Sequence, residues 1–264
     1  MKSTETEAEH KAIAFRDRHG LGLAPIRDLV ALAENRIGLD LVFEELPAGI
    51  DALTTKDGET GKVFVAVAAT ENLERQRFTI AHEIGHIEFG DLVEGFTPHE
   101  NNFDAEDRAH TFARHLLIPR EAMHHLLAEV NAQRFALELR HLSSLVQFFG
   151  VLPTVAAIQL REESWISDDT FSQWEQETAP RLSVLFGWDA ERKALLATSA
   201  QKRPSQRLSS RAVDLYRRGL VAIEFVASVT GRPVSEVEAD MKRFDIEPAK
   251  LSSATDEPFV IDEL

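Results

Sequence analysis

RFTIAHEIGHIEFG, residues 77–90, sets two histidines and a glutamate in a stretch whose other residues are mostly apolar. Phe78, Ile80, Ala81, Ile84 and Ile87 recur at helical spacing, so a buried helix is expected from about Leu73 to Phe89, with Gly90 where a C-cap glycine belongs. Thr79, His82, Glu83 and His86 fall at i, i+3, i+4 and i+7 and make one polar stripe. Unpaired imidazole and carboxylate groups are costly in apolar surroundings, so the stripe faces either water or something that satisfies it. His82, Glu83 and His86 spell H-E-x-x-H. The two histidines lie one helical turn apart on one face and can share an ion, while Glu83 projects beside it. A short motif of this kind also arises by chance, so its context has to decide.

The chain has 264 residues, 44% of them hydrophobic, which is enough for one large domain or two modest ones. It has no cysteine, so a metal would have to be held by His, Asp or Glu. The start, MKSTETEAEHKAIAF, has glutamates where a secretory signal has its apolar core. No apolar run approaches the ~18 residues needed to span a bilayer, and a cytoplasmic protein without membrane association is expected. The net charge of −15 disfavours general attraction to phosphate backbones. That charge is uneven: Arg192 to Arg218 holds eight basic residues and one acid, Asp214. The strip is either a solvated face or one that pairs with the acidic first domain, or else a docking strip for an acidic partner or nucleic acid.

Pro25 to Gly38 has a helical pattern. LDLVFEEL, GIDALTT and KVFVAVA read as strands, the last two joined at Lys56-Asp57-Gly58, which suggests a small antiparallel sheet. Val63 to Ala68 is apolar on both faces, which suits a buried strand or an edge that accepts an extended peptide. DLVEGFTPHENNF reads as a loop. Helices are expected at about 104–118, 120–131, 134–149 and 153–162, then an irregular or weakly helical stretch from Asp168 to Pro180, a linker, and helices 211–230 and 235–244. The last dozen residues are acidic and are expected to be disordered or docked as a short extended piece.

A zinc peptidase site needs a third protein ligand and an open fourth position. In FDAEDRAHTFARHLLIP, residues 103–119, Ala105, Ala109, Phe112, Ala113, Leu116 and Leu117 make an apolar face flanked by Glu106 and His110. Asp107, Thr111 and Arg114 point away from that face. Glu106 is therefore the better placed carboxylate.

Taken together, RFTIAHEIGHIEFG and the downstream E-x-x-A-x-x-F-A-x-x-L-L-x-P resemble the ImmA/IrrE family of metallo-endopeptidases over roughly residues 10–165. The resemblance implies an α+β, zincin-like peptidase domain at 1–165, with zinc held by His82, His86 and Glu106 and with Glu83 as general base. The resemblance says little about 166–264, whose own pattern predicts a mainly helical region with an acidic tail, either a regulatory or substrate-docking part or helices that complete one core. In that chemistry zinc lowers the pKa of its bound water toward ~7 and Glu83 takes the proton. The implied substrate is a protein partner, often a helix-turn-helix repressor, here one encoded nearby. Two positions depart from the family pattern: Arg108 stands where Glu is frequent, and His110 where Asn is common. His110 is a candidate to support a ligand histidine or a substrate oxyanion. His99, His115, His124, His125 and His141 are expected to be surface or structural residues.

Two rival readings use the same sequence. HLSSLVQFFGVLPTVAAIQL, residues 141–160, looks like a helix-turn-helix of a DNA-binding regulator, but it lacks the basic residues that would contact phosphates. A catalytically silent scaffold that binds a repressor without cutting it is the other. The sequence leaves the oligomeric state, the scissile bond, the activating signal and the oxyanion-stabilising residue open.

Overall fold

The computed structural model describes residues 2–92, 95–96 and 103–249. Most of the predicted loop at 91–103, including His99, and the acidic tail therefore lie outside the described residues. Four strands, β1 (Asp40–Glu44), β2 (Ala52–Lys56), β3 (Val63–Ala68) and β4 (Gly95–Phe96), form one sheet in the order β1-β3-β2-β4. The predicted hairpin is present: Asp57 Oδ1 accepts from the Thr60 backbone N–H at 2.6 Å, and Thr54 pairs with Val65 across it. The sheet is mixed rather than antiparallel, because β1 pairs parallel to β3, with Leu41 beside Val65. The chain places β2 beyond β3, so β3 returns between β1 and β2. Both edges of β3 are thus paired, which rules out the peptide-accepting edge and explains its apolar character.

Helix α1 (Lys2–Arg18) precedes the sheet, and α2 (Leu29–Ala31) runs into a π-helical turn, Leu32–Ile37, ended by Gly38 at φ 87°. This helix starts at Leu29 rather than near Pro25, because Asp28 caps it by accepting from the Ala31 N–H at 2.7 Å. After the sheet come α3 (Leu73–Phe89), α4 (Phe103–Leu117), α5 (Arg120–Glu129), α6 (Leu139–Phe149) and α7 (Pro153–Glu162). The start of α6 falls later than expected, since Phe135 sits at φ 61° and Glu138 forms a reciprocal capping box with His141. Helices α6 and α7 meet at 113°. Leu142, Leu145, Val146, Phe149, Val155, Ala156 and Leu160 from this pair are buried in the main core. Of α7, Glu162 is exposed, Thr154, Ile158 and Arg161 are half-buried and the rest are buried.

Three more helices follow, α8 (Asp168–Trp174), within the stretch expected to be irregular or weakly helical, then α9 (Ala179–Phe186) and α10 (Asp189–Ser199). Trp174, Ala179, Leu182 and Trp188 join the same core as Ile80, Ile84, Phe112 and Phe149. The first compact unit therefore runs to Ser205 rather than ending at 165. Gln206–Leu264 is a second unit, with α11 (Gln206–Arg217), α12 (Ile223–Thr230) and α13 (Val234–Arg243) around Ala212, Val226, Ala227, Val237 and Met241. The single helix expected at 211–230 is broken at Gly219, which takes φ 72°. The architecture is α+β, consistent with a zincin-like domain followed by a helical C-terminal region. Among the described residues no single helix is long and apolar enough to cross a membrane.

Candidate metal centre

Helix α3 is built to hold its polar stripe still. The Asn72 side chain caps its start, accepting from the Arg75 N–H at 3.1 Å, and Gly90 at φ 74° ends it. Buried Arg77 donates to the carbonyls of Gly150 at 2.9 Å and Ile26 at 2.7 Å, and burial lowers its pKa to about 10. At the same end, Glu74 receives a buried bidentate pair from Arg192 of α10, at 2.8 and 2.9 Å. Helix α3 is thus held by loops and helices that lie far away in the chain.

Helix α4 crosses α3 where the side chains are smallest. A Cβ added to Gly85 would lie 3.1 Å from Ala109 Cα and 3.2 Å from both Ala109 O and the Phe112 ring. Gly85 therefore permits a backbone approach that a larger residue would resist, and this closeness brings Glu106 to the two histidines.

His82 Nε2 and His86 Nε2 stand 3.0 Å apart. Glu106 Oε2 lies 3.2 Å from the first, and its Oε1 lies 3.2 Å from the second. The two contacts of Glu106 use different oxygens, and one ligand atom from each of the three residues can be chosen so that all lie within 4.8 Å of one another. His86 is fully buried, and its Nδ1 donates to Asp91 Oδ2 at 3.1 Å, which leaves the Nε2 lone pair facing Glu106 and His82. The donor set of two imidazoles and a carboxylate fits zinc.

Glu83, next to His82 in the chain, is buried. Its Oε2 accepts from the Thr54 hydroxyl of β2 at 2.6 Å. Sequence reasoning missed Thr54, whose signal was only a polar residue on a strand, and it missed Asp91, which lay in a presumed loop. Thr79 belongs to the stripe by spacing alone: it is buried and donates to the carbonyl of Arg75 at 3.0 Å.

His110 is at the rim. Its ring stands 4.3 Å from that of His82 and 5.6 Å from Phe78, centre to centre, and its Nδ1 is 2.8 Å from the Glu106 carbonyl oxygen. Lost solvation lowers its pKa from the ordinary histidine value, and the neighbouring His82 lowers it further. Its contact with His82 is ring packing: among the described residues, His82 Nδ1 has no hydrogen-bond partner. The other histidines have local roles. His115 meets Glu5 at 3.0 Å, His124 meets Glu163 at 3.3 Å, exposed His125 sits 3.9 Å from Glu121, and His141 caps α6.

Four of the strip's eight basic residues lie in the first unit, and each of these meets an acid there. Arg192 binds Glu74, Lys202 lies 3.1 Å from Glu45, and Arg203 lies 3.4 Å from Glu34. Of the two readings of the strip, these contacts favour pairing with the acidic first domain.

Residues 34–161 match a family described as the IrrE N-terminal-like domain, Peptidase_M78. Among solved structures, a Mycobacterium tuberculosis transcriptional regulator is similar at 19% identity with a TM-score of 0.40. That likeness covers 61% of this chain and 46% of the regulator, so the chain spans less than half of that protein's length. Comparison with curated proteins returns no match.

Proposed function

We propose, from the premise that residues 34–161 belong to the Peptidase_M78 family of IrrE N-terminal-like domains, that the chain is a zinc-dependent endopeptidase acting on a protein partner. The observation that carries this reading is the cluster of His82, His86 and Glu106, whose ligand atoms lie within 4.8 Å of one another, on and beside the helix that carries the buried Glu83. A zinc ion held there supplies Lewis acidity for the peptide carbonyl and a water of lowered pKa. Glu83 takes a proton from the attacking water and returns one to the departing amine. Thr54 donates to one oxygen of that carboxylate and so orients the base. His82 and His86 would hold the metal through Nε2, and Asp91 orients the second of them.

The partner we propose is a helix-turn-helix transcriptional repressor encoded nearby, recognised in the cytoplasm. Co-expression with that repressor tests both parts. Wild type is expected to yield discrete fragments, and Glu83→Gln an intact partner with zinc still bound. A partner that binds tightly and is never cut would replace the peptidase with a scaffold. Equal cutting by both proteins would assign the cleavage to a contaminant.

A further inference from the structure

We propose that Arg108 is a positioning residue for the metal centre, acting through Asp91 on His86; this rests on the zinc reading above. Gly90 turns the chain through a left-handed conformation, and the Asp91 N–H then bonds the His86 carbonyl at 2.9 Å. This folds the Asp91 side chain back against the last turn of α3. A carboxylate only accepts, so the Asp91 contact fixes Nδ1 of His86 as the protonated nitrogen and Nε2 as the free lone pair. A metal ligand needs that tautomer.

The Asp91 side chain is 9% exposed, and the imidazole it meets is fully buried. A carboxylate in that position needs a compensating charge to keep its place. Arg108 supplies it from α4, with one guanidinium nitrogen on Oδ1, the oxygen that His86 does not use. The two oxygens of Asp91 are thereby divided between ligand and cation, which fixes the rotation of the carboxylate. Phe89 fixes the guanidinium in turn, its ring centre lying 5.1 Å away. Arg108 is two residues beyond Glu106, so the contact also ties the two ligand-bearing helices together outside the coordinating cluster. The sequence departs here from the Glu frequent in the family, and the structure gives the substituted residue a partner of opposite charge.

Zinc affinity of the full chain, measured by competition with a chromophoric chelator, tests the inference without recourse to proteolysis. Arg108→Gln is expected to bind zinc about 10–100-fold more weakly, the range typical of groups that orient a ligand. Arg108→Lys should recover part of the loss. Asp91→Asn should bind at least as weakly as Arg108→Gln, and the double variant no more weakly than Asp91→Asn alone, because Arg108 works through Asp91. Cobalt absorption spectra should show a changed ligand field in Arg108→Gln. Wild-type affinity in Arg108→Gln, or losses that multiply in the double variant, would overturn the proposal. If Arg108→Gln does not fold, unchanged affinity in Arg108→Lys overturns it and a partial loss supports it. Where wild type binds zinc and Glu106→Gln does not, an unaffected Arg108→Gln refutes this inference alone. A wild type without zinc affinity refutes the zinc reading as well.

Discussion

Glu83 and Glu106 have the same side chain, and their surroundings give them different work. Glu106 meets two imidazoles at 3.2 Å, whereas Glu83 is held by Thr54. Glu106→Gln keeps the size and loses the charge, so most bound zinc should be lost while the circular dichroism spectrum is retained; full occupancy at limiting metal would exclude Glu106 as a ligand. Thr54→Val removes the donor to a buried carboxylate, an interaction worth about 1.5–3 kcal/mol. Cleavage should fall by roughly 10–100-fold at unchanged zinc content, and Thr54→Ser should restore it. Neither effect was readable beforehand for Thr54, because a strand residue's partner across a sheet-to-helix interface has no local sequence signature.

At the scale of elements, the crossing of α3 and α4 decides whether a site exists. Gly85→Ala places a methyl group 3.1–3.2 Å from the backbone of Ala109, where a helix would have to move. Overpacking of this kind costs about 1–3 kcal/mol. A lower unfolding midpoint in urea together with weaker zinc binding is expected, and a variant that matches wild type in both would show that the helices part freely. Helix periodicity revealed α3 and α4 almost to the residue, yet it misjudged the second face of α4. Thr111 and Arg114 were expected to point away from the apolar face toward water. Both are buried, and Arg114 donates to Gln159 at 2.5 Å and Glu5 at 2.6 Å. A polar residue can serve a packed interface whenever a partner from elsewhere satisfies it, and periodicity cannot see the partner.

For the whole molecule, the expected boundary at 165 has a direct consequence. A chain ending near Arg161 would lose Trp174, Leu182 and Trp188 from the core and leave Glu74 buried without Arg192. Removing one partner of such a buried pair costs about 3–5 kcal/mol by itself. That truncation should be insoluble, whereas one ending at Ser205 should fold and bind zinc; soluble, zinc-loaded protein from the shorter chain would contradict this. Acid stability should report another long-range contact. The His115 hydrogen bond, with Arg114 beside it, lowers the Glu5 pKa from its ordinary 4.5 to about 2. A depressed folded pKa gives stability that is present above 4.5 and lost as pH falls toward 2. The fall in melting temperature across that window should be shallower in Glu5→Gln; an identical slope would remove Glu5 from the account.

Helix α3 with its H-E-x-x-H face, the three main strands and the helix bearing Glu106 were legible in the sequence, because each rests on spacing within a few turns of chain. Tertiary structure alone decided the rest. It placed β3 inside the sheet, since a parallel partner 24 residues upstream leaves no local mark. It broke the helix at Gly219, assigned α8 to α10 to the first unit, and brought Thr54, Asp91 and Arg108 to the metal centre. In each case the contact joins segments whose separation along the chain hides the pairing, and only the packed core brings them within reach.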